Sequence, residues 1–294
     1  MKLAGIAKRF RIDKSDKFRL SAHSPAGPPG LSIEKDIAEG LLDEAAKRLA
    51  ELQAKLYAQN RWSVLIVLQG MDAAGKDGII KHVMSDINPQ GCDVHSFKAP
   101  SPEELDHDFL WRAGNRLPPR GRIGIFNRSY YEEVLVVRVH PEFLQRQKLP
   151  KSVASKHIWT QRFEDIRAFE QHAARSGTLV LKFFLNVSRE EQRKRLLDRL
   201  EEPAKRWKFS MDDIAERALW LKYMAAYEHM IRATSTSKTP WFVVPADRKW
   251  LARLVVAAVV VDGMERLGLQ FPKMQGNARK KMAKVRKALE AEKH

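Results

Sequence analysis

The sequence predicts an α/β fold in which a parallel sheet of five strands is flanked by helices. Short apolar runs alternate with longer segments of helical spacing, the pattern of strands joined by crossover helices. Three of the runs, beginning at Val64, Ile123 and Leu179, are nearly continuous in apolar residues, as expected for parallel strands buried on both faces. Ligands of such sheets bind beyond the carboxyl ends of the strands, so the functional site is expected at that edge.

The predicted elements follow in order along the chain. A long first helix is expected at Ile33–Gln59, where leucine, isoleucine and alanine recur at helical spacing. The predicted strands are Val64–Leu68, Asp93–Phe97, Ile123–Phe126, Leu179–Asn186 and Phe242–Val244. The helices predicted between them are Asp77–Ile87, Pro102–Asn115, Ser129–His140, Val153–Arg175, Arg189–Leu200 and Ser210–Ala233. Crossovers between parallel strands are expected to be right-handed.

Length and composition exclude several classes of protein. The chain has 294 residues, 44% hydrophobic and 30% charged, so it can bury a core and is not disordered throughout. The single cysteine, Cys92, excludes an internal disulfide framework and suits a reducing compartment. The apolar run Leu254–Val261 is far shorter than the roughly 20 residues that span a bilayer. Charges interrupt the first residues, so no secretory signal is expected and the predicted location is cytoplasmic.

The net charge of +17 is concentrated at the two ends of the chain. Residues 1–20 carry +5 and residues 273–294 carry +6. The predicted organisation is a basic N-terminal arm and loop (1–32), a central domain (33–272) and a basic tail (273–294). Both ends are expected to be solvated, with a helix at Ala278–Glu292, where Pro and Gly are absent. This positive balance indicates a polyanionic partner, of which nucleic acid is one candidate.

A phosphate-binding loop follows the first strand directly. Gly70, Ala73, Ala74, Gly75 and Lys76 fall within the pattern G-x-x-x-x-G-K, between a predicted strand and a predicted helix. The glycines allow backbone N–H groups to turn toward phosphate oxygens, and the helix dipole adds to the attraction. Lys76 would neutralise the phosphoryl group that is transferred. The alternative, a glycine turn followed by an exposed lysine, is disfavoured because motif and context agree. The loop predicts a P-loop kinase-like domain.

Acidic residues around this loop predict a divalent cation. Asp72 lies inside the loop, and Asp77 stands where the motif usually has the Ser or Thr that binds Mg²⁺. Two carboxylates would repel phosphate unless a cation bridges them, so both are candidate ligands of Mg²⁺ or Mn²⁺. Asp77 has an alternative role in the first helical turn, where acids are favoured anyway. After the third strand, Asn127 or Glu132 would complete the metal site, and Arg128 is either a phosphate ligand or a surface ion-pair partner.

A dense run of basic residues follows the fourth strand. Glu190 and Glu191 stand at i,i+4 spacing from Lys194 and Arg195, which explains about half of the cations as an ordinary solvated helix face. Pro203 then breaks the helix, and further cations follow it. The cations predicted to bind phosphate are Arg189, Arg193, Arg199, Lys205, Arg206 and Lys208.

Three of these segments together resemble the polyphosphate kinase 2 family. They are the loop Gly70–Asp77, the segment Phe126–Glu132 and the segment Arg206–Phe209, and the resemblance extends from about residue 35 to about residue 272. It implies a thymidylate-kinase-like fold with a helical lid at about 188–209. It also implies reversible, Mg²⁺-dependent transfer of a phosphoryl group between inorganic polyphosphate and a nucleotide.

The same resemblance implies roles for individual residues. By matching position, Asp72 is the metal-binding acid of the loop, Lys76 the phosphate-binding lysine, Asn127 and Arg128 the second Walker segment, and Glu132 an acid near the acceptor phosphates. Asn127 in place of aspartate, with Glu132 following, resembles the subgroup that phosphorylates both AMP and ADP. Guanine nucleotides are a further candidate acceptor.

Several points stay open from the sequence alone. Arg112, with the loop Ala99–Pro102, is a candidate for the site of the acceptor base, or part of an ordinary amphipathic helix. The phosphate loop by itself also fits an ATP-dependent kinase of nucleoside monophosphates or small molecules. A basic nucleic-acid-binding protein is the alternative from another class, but the aromatic platforms expected for base contact are missing. A homo-oligomer is expected, formed through the long first helix.

Overall fold

The computed structural model describes residues 3–13, 15–31, 33–274 and 276–292. Its centre is an all-parallel sheet with the strand order β2-β3-β1-β4-β5, which confirms the predicted fold class. The strands are β1 (Ser63–Gln69), β2 (Cys92–Ser96), β3 (Ile123–Asn127), β4 (Thr178–Asn186) and β5 (Trp241–Pro245). The helices are α1 (Leu3–Arg9), α2 (Lys35–Gln59), α3 (Lys76–Val83), α4 (Pro102–Asp106), α5 (Trp111–Gly114), α6 (Val136–Val139), α7 (Ile158–Arg175), α8 (Arg189–Glu201), α9 (Asp212–Ala218), α10 (Trp220–Thr234), α11 (Lys249–Glu265) and α12 (Gly276–Glu290).

Strand β1 lies at the centre of the sheet and is buried along its whole length. Val64 is in register with Ile123 on one side and with Leu179 on the other. The three continuous apolar runs of the sequence are therefore the three inner strands. Their carboxyl ends carry Gln69, Asn127 and Asn186 to one edge, where the phosphate loop begins.

Several predicted helices are shorter or broken. The segment predicted as one helix at Pro102–Asn115 forms α4 and α5, because the Asp108 carboxylate accepts a hydrogen bond from the Leu110 N–H between them. The segment predicted at Ser129–His140 is a 3-10 turn (Tyr130–Val134) followed by α6. Likewise, the segment predicted at Ser210–Ala233 divides into α9 and α10 at Leu219.

Helix α11 was not predicted as a helix, although its apolar run was noted. Twelve of its 17 residues are buried, so it has no polar face to reveal a helical period. It packs against α2, α1 and α3 as well as against β4 and β5. The buried face of α2 is thus covered within one chain.

The N-terminal segment is packed rather than solvated, which corrects the expectation for the basic arm. Ile6, Phe10 and Ile12 are buried, and Phe10 to Ile12 run antiparallel to the edge strand β5. The Ile12 N–H donates to the Trp241 carbonyl (2.9 Å) and the Val243 N–H to the Phe10 carbonyl (3.0 Å). Apolar residues alternate with the cations here, so the charges stay outside while the segment covers a sheet edge.

The C-terminal tail contains the predicted basic helix, as α12. Every side chain that the structure describes between Gly276 and Glu290 is exposed. Within the described ranges, no helix combines the length and apolar character that crossing a bilayer requires.

Candidate active site

The phosphate loop joins β1 to α3 at the carboxyl edge of the sheet, as predicted. Gly70 has a φ of +156°, and a Cβ there would lie 2.9 Å from the Leu185 carbonyl oxygen. Gly75, just before α3, has a φ of +110°. Side chains are excluded at the first position by contact and at the second by backbone conformation. The loop therefore lies tightly against β4 and forms one wall of a cavity of about 780 Å³.

Lys76 turns back over the loop. Its Nζ donates to the carbonyls of Gly70 (2.6 Å) and Met71 (3.2 Å), and the residue is 9% exposed. Burial, and next the positive charge of Arg128, lower the pKa of Lys76 to about 8. Asp72 opposes the shift. A buried ammonium held only by carbonyls is ready to gain anionic partners.

Arg128 lies between two carboxylates at the end of β3. Its guanidinium contacts Asp72, and its Nη1 lies 3.3 Å from a Glu132 oxygen. Burial opposes the charge of Arg128, but Glu132 and Asp72 raise its pKa above the ordinary value. The residue has a left-handed φ of +62°, a strained conformation that often marks functional sites. Arg128 is thus held by acids at the cavity wall rather than displayed on the outer surface.

The three acids predicted to bind metal are not brought together. Asp72 and Glu132 share Arg128, whereas Asp77 accepts hydrogen bonds from the Asn127 amide (2.9 Å) and from Lys208 (3.0 Å). Burial acts to raise the pKa of Asp77, but the hydrogen bonds from Lys208 and Asn127 outweigh it and lower that pKa. Among the residues that the structure describes, no group of three or more His, Cys, Asp or Glu could hold a metal ion.

Two of these acids still suit a hard divalent cation. Asp72 and Asp77 both line the cavity, one in the loop and one in the first turn of α3. Mg²⁺ is usually held by one or two carboxylates, with water and substrate phosphate filling the other positions. The donor set therefore fits a cation that arrives with phosphate, and Glu132, which does not line the cavity, is not needed for it.

Helix α8 clamps the phosphate loop from behind. Gln192 donates to the Asp72 carbonyl (3.0 Å). Arg195 donates to the carbonyls of Ala73 (3.1 Å) and Ala74 (3.0 Å). Because C=O and the following N–H of a trans peptide point in opposite directions, these bonds aim the N–H groups of Ala73 and Gly75 away from α8.

Arg195 also ties the loop to the end of β5. Its Nη2 donates to the carbonyls of Ala246 (2.6 Å) and Asp247 (3.1 Å). The sequence had assigned it only to a surface pair with Glu191, and that pair is present as well, at 2.8 Å. Hydropathy predicts buried leucines and an exposed arginine, but in this helix Leu197 and Leu200 are exposed and Arg195 is buried. The one sequence feature that could have indicated this role is the i,i+3 spacing of Gln192 and Arg195, which places both side chains on the same face of α8.

The predicted phosphate-binding cations divide into two groups. Arg199, Lys205 and Lys208 line the cavity, whereas Arg189, Arg193 and Arg206 do not. Arg206 instead donates to the Leu200 carbonyl (2.9 Å) at the end of α8. It satisfies a free carbonyl of the helix, so its role in this structure is structural.

Arg112 lies behind the cavity rather than in it. It donates to the Lys98 carbonyl (2.8 Å) and stacks over Phe97, with 5.3 Å to the ring centroid. The loop that it supports, from Ser96 to Ala99, does line the cavity. Arg112 therefore positions this loop, which corrects its assignment as a direct ligand.

Besides Lys98 and Arg195, the sequence missed two further cations of the cavity, Lys249 and Arg253 at the start of α11. They follow β5 at the sheet edge where ligands were expected, but the apolar run beyond them hid the helix. In all, nine Lys and Arg and four Asp line the cavity. Trp207 also lines it, although 78% of that residue is exposed. The cavity thus suits a ligand with several negative charges.

Comparison with known proteins agrees with this geometry. The family model described as "Polyphosphate kinase 2 (PPK2)" matches residues 32–271. An ADP-polyphosphate phosphotransferase of Rhodopseudomonas palustris is 49% identical, over 96% of this chain and 98% of that protein. An AMP/ADP-polyphosphate phosphotransferase of Meiothermus ruber is 42% identical, over 90% of this chain and 95% of that protein. The crystal structure of polyphosphate kinase 2 from Arthrobacter aurescens is similar with a TM-score of 0.87 and 40% identity, over 96% of both chains.

Proposed function

The chain belongs to the polyphosphate kinase 2 family, and we propose that it transfers a phosphoryl group reversibly between inorganic polyphosphate and adenine nucleotides, with both ADP and AMP as acceptors. The observation that carries the proposal is the excess of cations around the phosphate loop, nine against four acids. A nucleotide and a phosphate chain together bring many negative charges to one place. Without such ligands, the cations that line the cavity would repel one another.

Transfer of this kind needs positioning and charge rather than a protein nucleophile. A terminal oxygen of the acceptor nucleotide attacks the end phosphorus of the chain, and the P–O bond to the next phosphate breaks. Lys76, with the N–H groups of Ala73 and Gly75, would hold the phosphoryl group in transit. Arg128 would neutralise charge from the end of β3, where Asp72 and Glu132 already fix its guanidinium. No proton has to move between side chains in this scheme.

The family's dependence on a divalent cation is proposed to be met by Mg²⁺, or by Mn²⁺. Asp72 and Asp77 would hold it. Such a cation neutralises phosphate oxygens and orients them for in-line transfer. Removal with EDTA should abolish turnover, and either cation should restore it.

The acceptor base is proposed to stack on Trp207. This indole lines the cavity while being largely exposed, and Lys208 Nζ lies 5.1 Å from its ring centroid. An exposed tryptophan contributes little to a core but offers a wide face to a nucleobase. A cytoplasmic location and assembly into a homo-oligomer are further predictions.

The test is an assay of purified protein with polyphosphate, Mg²⁺ and either ADP or AMP. We expect ATP from ADP and ADP from AMP, each dependent on polyphosphate. An ATP-dependent monophosphate kinase would instead transfer phosphate from ATP to AMP with polyphosphate inert. That outcome, or no turnover with either acceptor, would contradict the proposal.

A further inference from the structure

A second basic groove lies outside the active-site cavity, between α6 and α10. Its volume is about 660 Å³. Arg138, Lys222, His229 and Arg232 stand around it, and the walls between them are mostly small residues. The residues lining it are Arg138, Val139, Lys222, Ala225, Ala226, Glu228, His229, Arg232 and Ala233. None of them has a role in the function proposed above.

The positive charges of this groove are poorly compensated. Its single acid, Glu228, accepts from the Leu20 N–H (2.8 Å) and lies 2.5 Å from Arg232. Within the described part of the chain, neither Arg138 nor Lys222 forms an ion pair with a carboxylate. Cations that outnumber the acids of a groove repel one another, and an anionic ligand would relieve that repulsion.

Arg138 is held in place without being neutralised. Its Nη1 lies 2.8 Å from Nδ1 of His229. Burial, and next the charges of Arg138 and Arg232, lower the pKa of His229. Since a guanidinium can only donate, Nδ1 of His229 accepts this hydrogen bond, and the lowered pKa favours the neutral ring that can do so. The guanidinium keeps its other N–H groups for a ligand.

The groove is about one helix away from the transfer site. Tyr227, on the buried side of α10, is close enough to Glu132 and Arg128 for their charges to act on its pKa, which burial chiefly raises. Lys222 and His229 lie on the other side of the same helix, and an α-helix with its side chains is about 10–12 Å across. Helix α6, the second wall, follows almost directly after the turn that carries Glu132.

We propose that this groove is a second binding site for phosphate chains, which holds a distant segment of polyphosphate while one end of the chain lies at the phosphate loop. The proposal rests on the proposed function. No Phe, Tyr or Trp is among the described residues that line the groove, and the His229 ring is already engaged by Phe163 (5.0 Å between centroids) and Arg138, so the groove offers a nucleobase no free stacking platform. A chain held at two points gains affinity because the second contact is intramolecular. A short chain cannot reach both sites.

The experiment compares two double variants with equal loss of charge. Arg138→Gln with Lys222→Gln removes the free cations of the groove. Lys47→Gln with Lys55→Gln is the control on α2, which packs against α11 and not in the groove. With long-chain polyphosphate, the groove variant should raise the KM for polyphosphate about fivefold or more, whereas the control should not. With chains of only a few phosphates the two variants should behave alike.

Direct binding separates this proposal from the proposed function. Binding of labelled long-chain polyphosphate to the wild type and both variants is measured by fluorescence anisotropy at several salt concentrations, which needs no turnover. The groove variant should weaken binding, with a log–log salt slope shallower by about one to two, because two cations no longer release counter-ions.

Equal affinity and equal salt slope in both variants would overturn the proposal that the groove binds polyphosphate, even if the enzyme is active. Weakened binding in a protein that proved inactive would uphold the groove and contradict only the proposed function. Light scattering of Lys222→Glu gives a further check, because a change of oligomeric state would mean that the groove is a contact between subunits and would overturn the proposal.

Discussion

The basic run after β4 contains two regions that use positive charge in opposite ways. In α8, Arg195 is buried and its N–H groups bind carbonyls of the phosphate loop and of the chain after β5. In the turn Pro203–Lys208, which we name the cover segment, Lys205, Trp207 and Lys208 line the cavity. Trp207 is exposed, and the two lysines are partly exposed. The first region builds the site, and the second presents partly exposed cations and an indole ring to the cavity.

This difference changes the idea of a single lid at 188–209. A helix that holds three consecutive loop carbonyls, those of Asp72, Ala73 and Ala74, cannot move away without disturbing the loop. We therefore expect α8 to stay fixed while the cover segment closes over the phosphates. Closure of this kind would exclude water from the transfer site.

The largest effect on activity is expected at Lys76. This residue lies at the end of the phosphate loop, between α8, which supports the loop, and the cover segment. Lys76→Ala should lower kcat about 10²–10³-fold, because a positioned cation is lost where charge develops. Circular dichroism should show an intact fold, since the Nζ bonds only loop carbonyls. Lys81→Ala, on the exposed side of α3, is the control. Full activity of the Lys76 variant would remove that residue from the mechanism.

The second largest effect is expected when the hydrogen bonds of Arg195, which clamp the phosphate loop to α8 and to the end of β5, are removed. Arg195→Met leaves four buried or partly buried carbonyls without their donor, so the free energy of unfolding should fall by about 3 kcal/mol, as measured by urea denaturation. The value of kcat should fall as well, because the loop N–H groups are no longer aimed.

The matched control for the clamp is Arg193→Met, two residues away on the exposed side of α8. It should change the free energy of unfolding by less than about 0.5 kcal/mol. Equal stability of the two variants would mean that the hydrogen bonds of Arg195 contribute no more to the free energy of unfolding than an exposed arginine of α8 does.

The clamp also marks the limit of what the sequence could predict. Glycine spacing and buried strands depend on local rules, so the loop, the five strands and the family were all evident. Arg195 was not, because its partners Ala73 and Ala246 are far away along the chain and are backbone atoms that leave no trace in the sequence. For the same reason, a three-acid metal site seemed plausible until Arg128 was found between Asp72 and Glu132.

Helix α11 and the N-terminal segment show the same limit in packing. Periodicity finds helices with one polar face, whereas twelve of the 17 residues of α11 are buried. At the N-terminus, charge density suggested a solvated arm, but Ile6, Phe10 and Ile12 pack inward between the cations. Which of two alternating sets of side chains is buried depends on a neighbour, here β5, that local sequence does not specify.

The lowered pKa of Lys76, in the phosphate loop that α8 holds in place, predicts that kcat/KM depends on pH. Free enzyme loses the charge of Lys76 as the pH rises through about 8, so kcat/KM should fall above that pH, by about tenfold per pH unit. Bound phosphate favours the charged form, so substrate binding should take up a proton there, measurable by calorimetry in buffers of different ionisation enthalpy. Lys76→Arg stays charged and should lose this decline. An unchanged decline in that variant would assign it to another group.

A smaller effect is expected in the cover segment. Trp207→Ala should raise the KM for ADP and AMP by about fivefold or more, since stacking on a base contributes about 1–3 kcal/mol. Trp207→Phe should recover part of the affinity. The KM for polyphosphate should stay the same. If the KM for polyphosphate rose and that for the nucleotide did not, Trp207 would belong to the chain-binding side.

Only a small effect on stability is expected at Lys208, in contrast to Arg195. Lys208 reaches Asp77 across the mouth of the cavity at 3.0 Å, and both side chains are substantially open to solvent. Exposed ion pairs contribute about 0–1 kcal/mol, so Lys208→Ala should change the free energy of unfolding by less than about 1 kcal/mol. Its KM for polyphosphate should rise about twofold to fivefold, because a phosphate-facing cation is lost. A large loss of stability would mean that the cover segment is part of the scaffold, as α8 is.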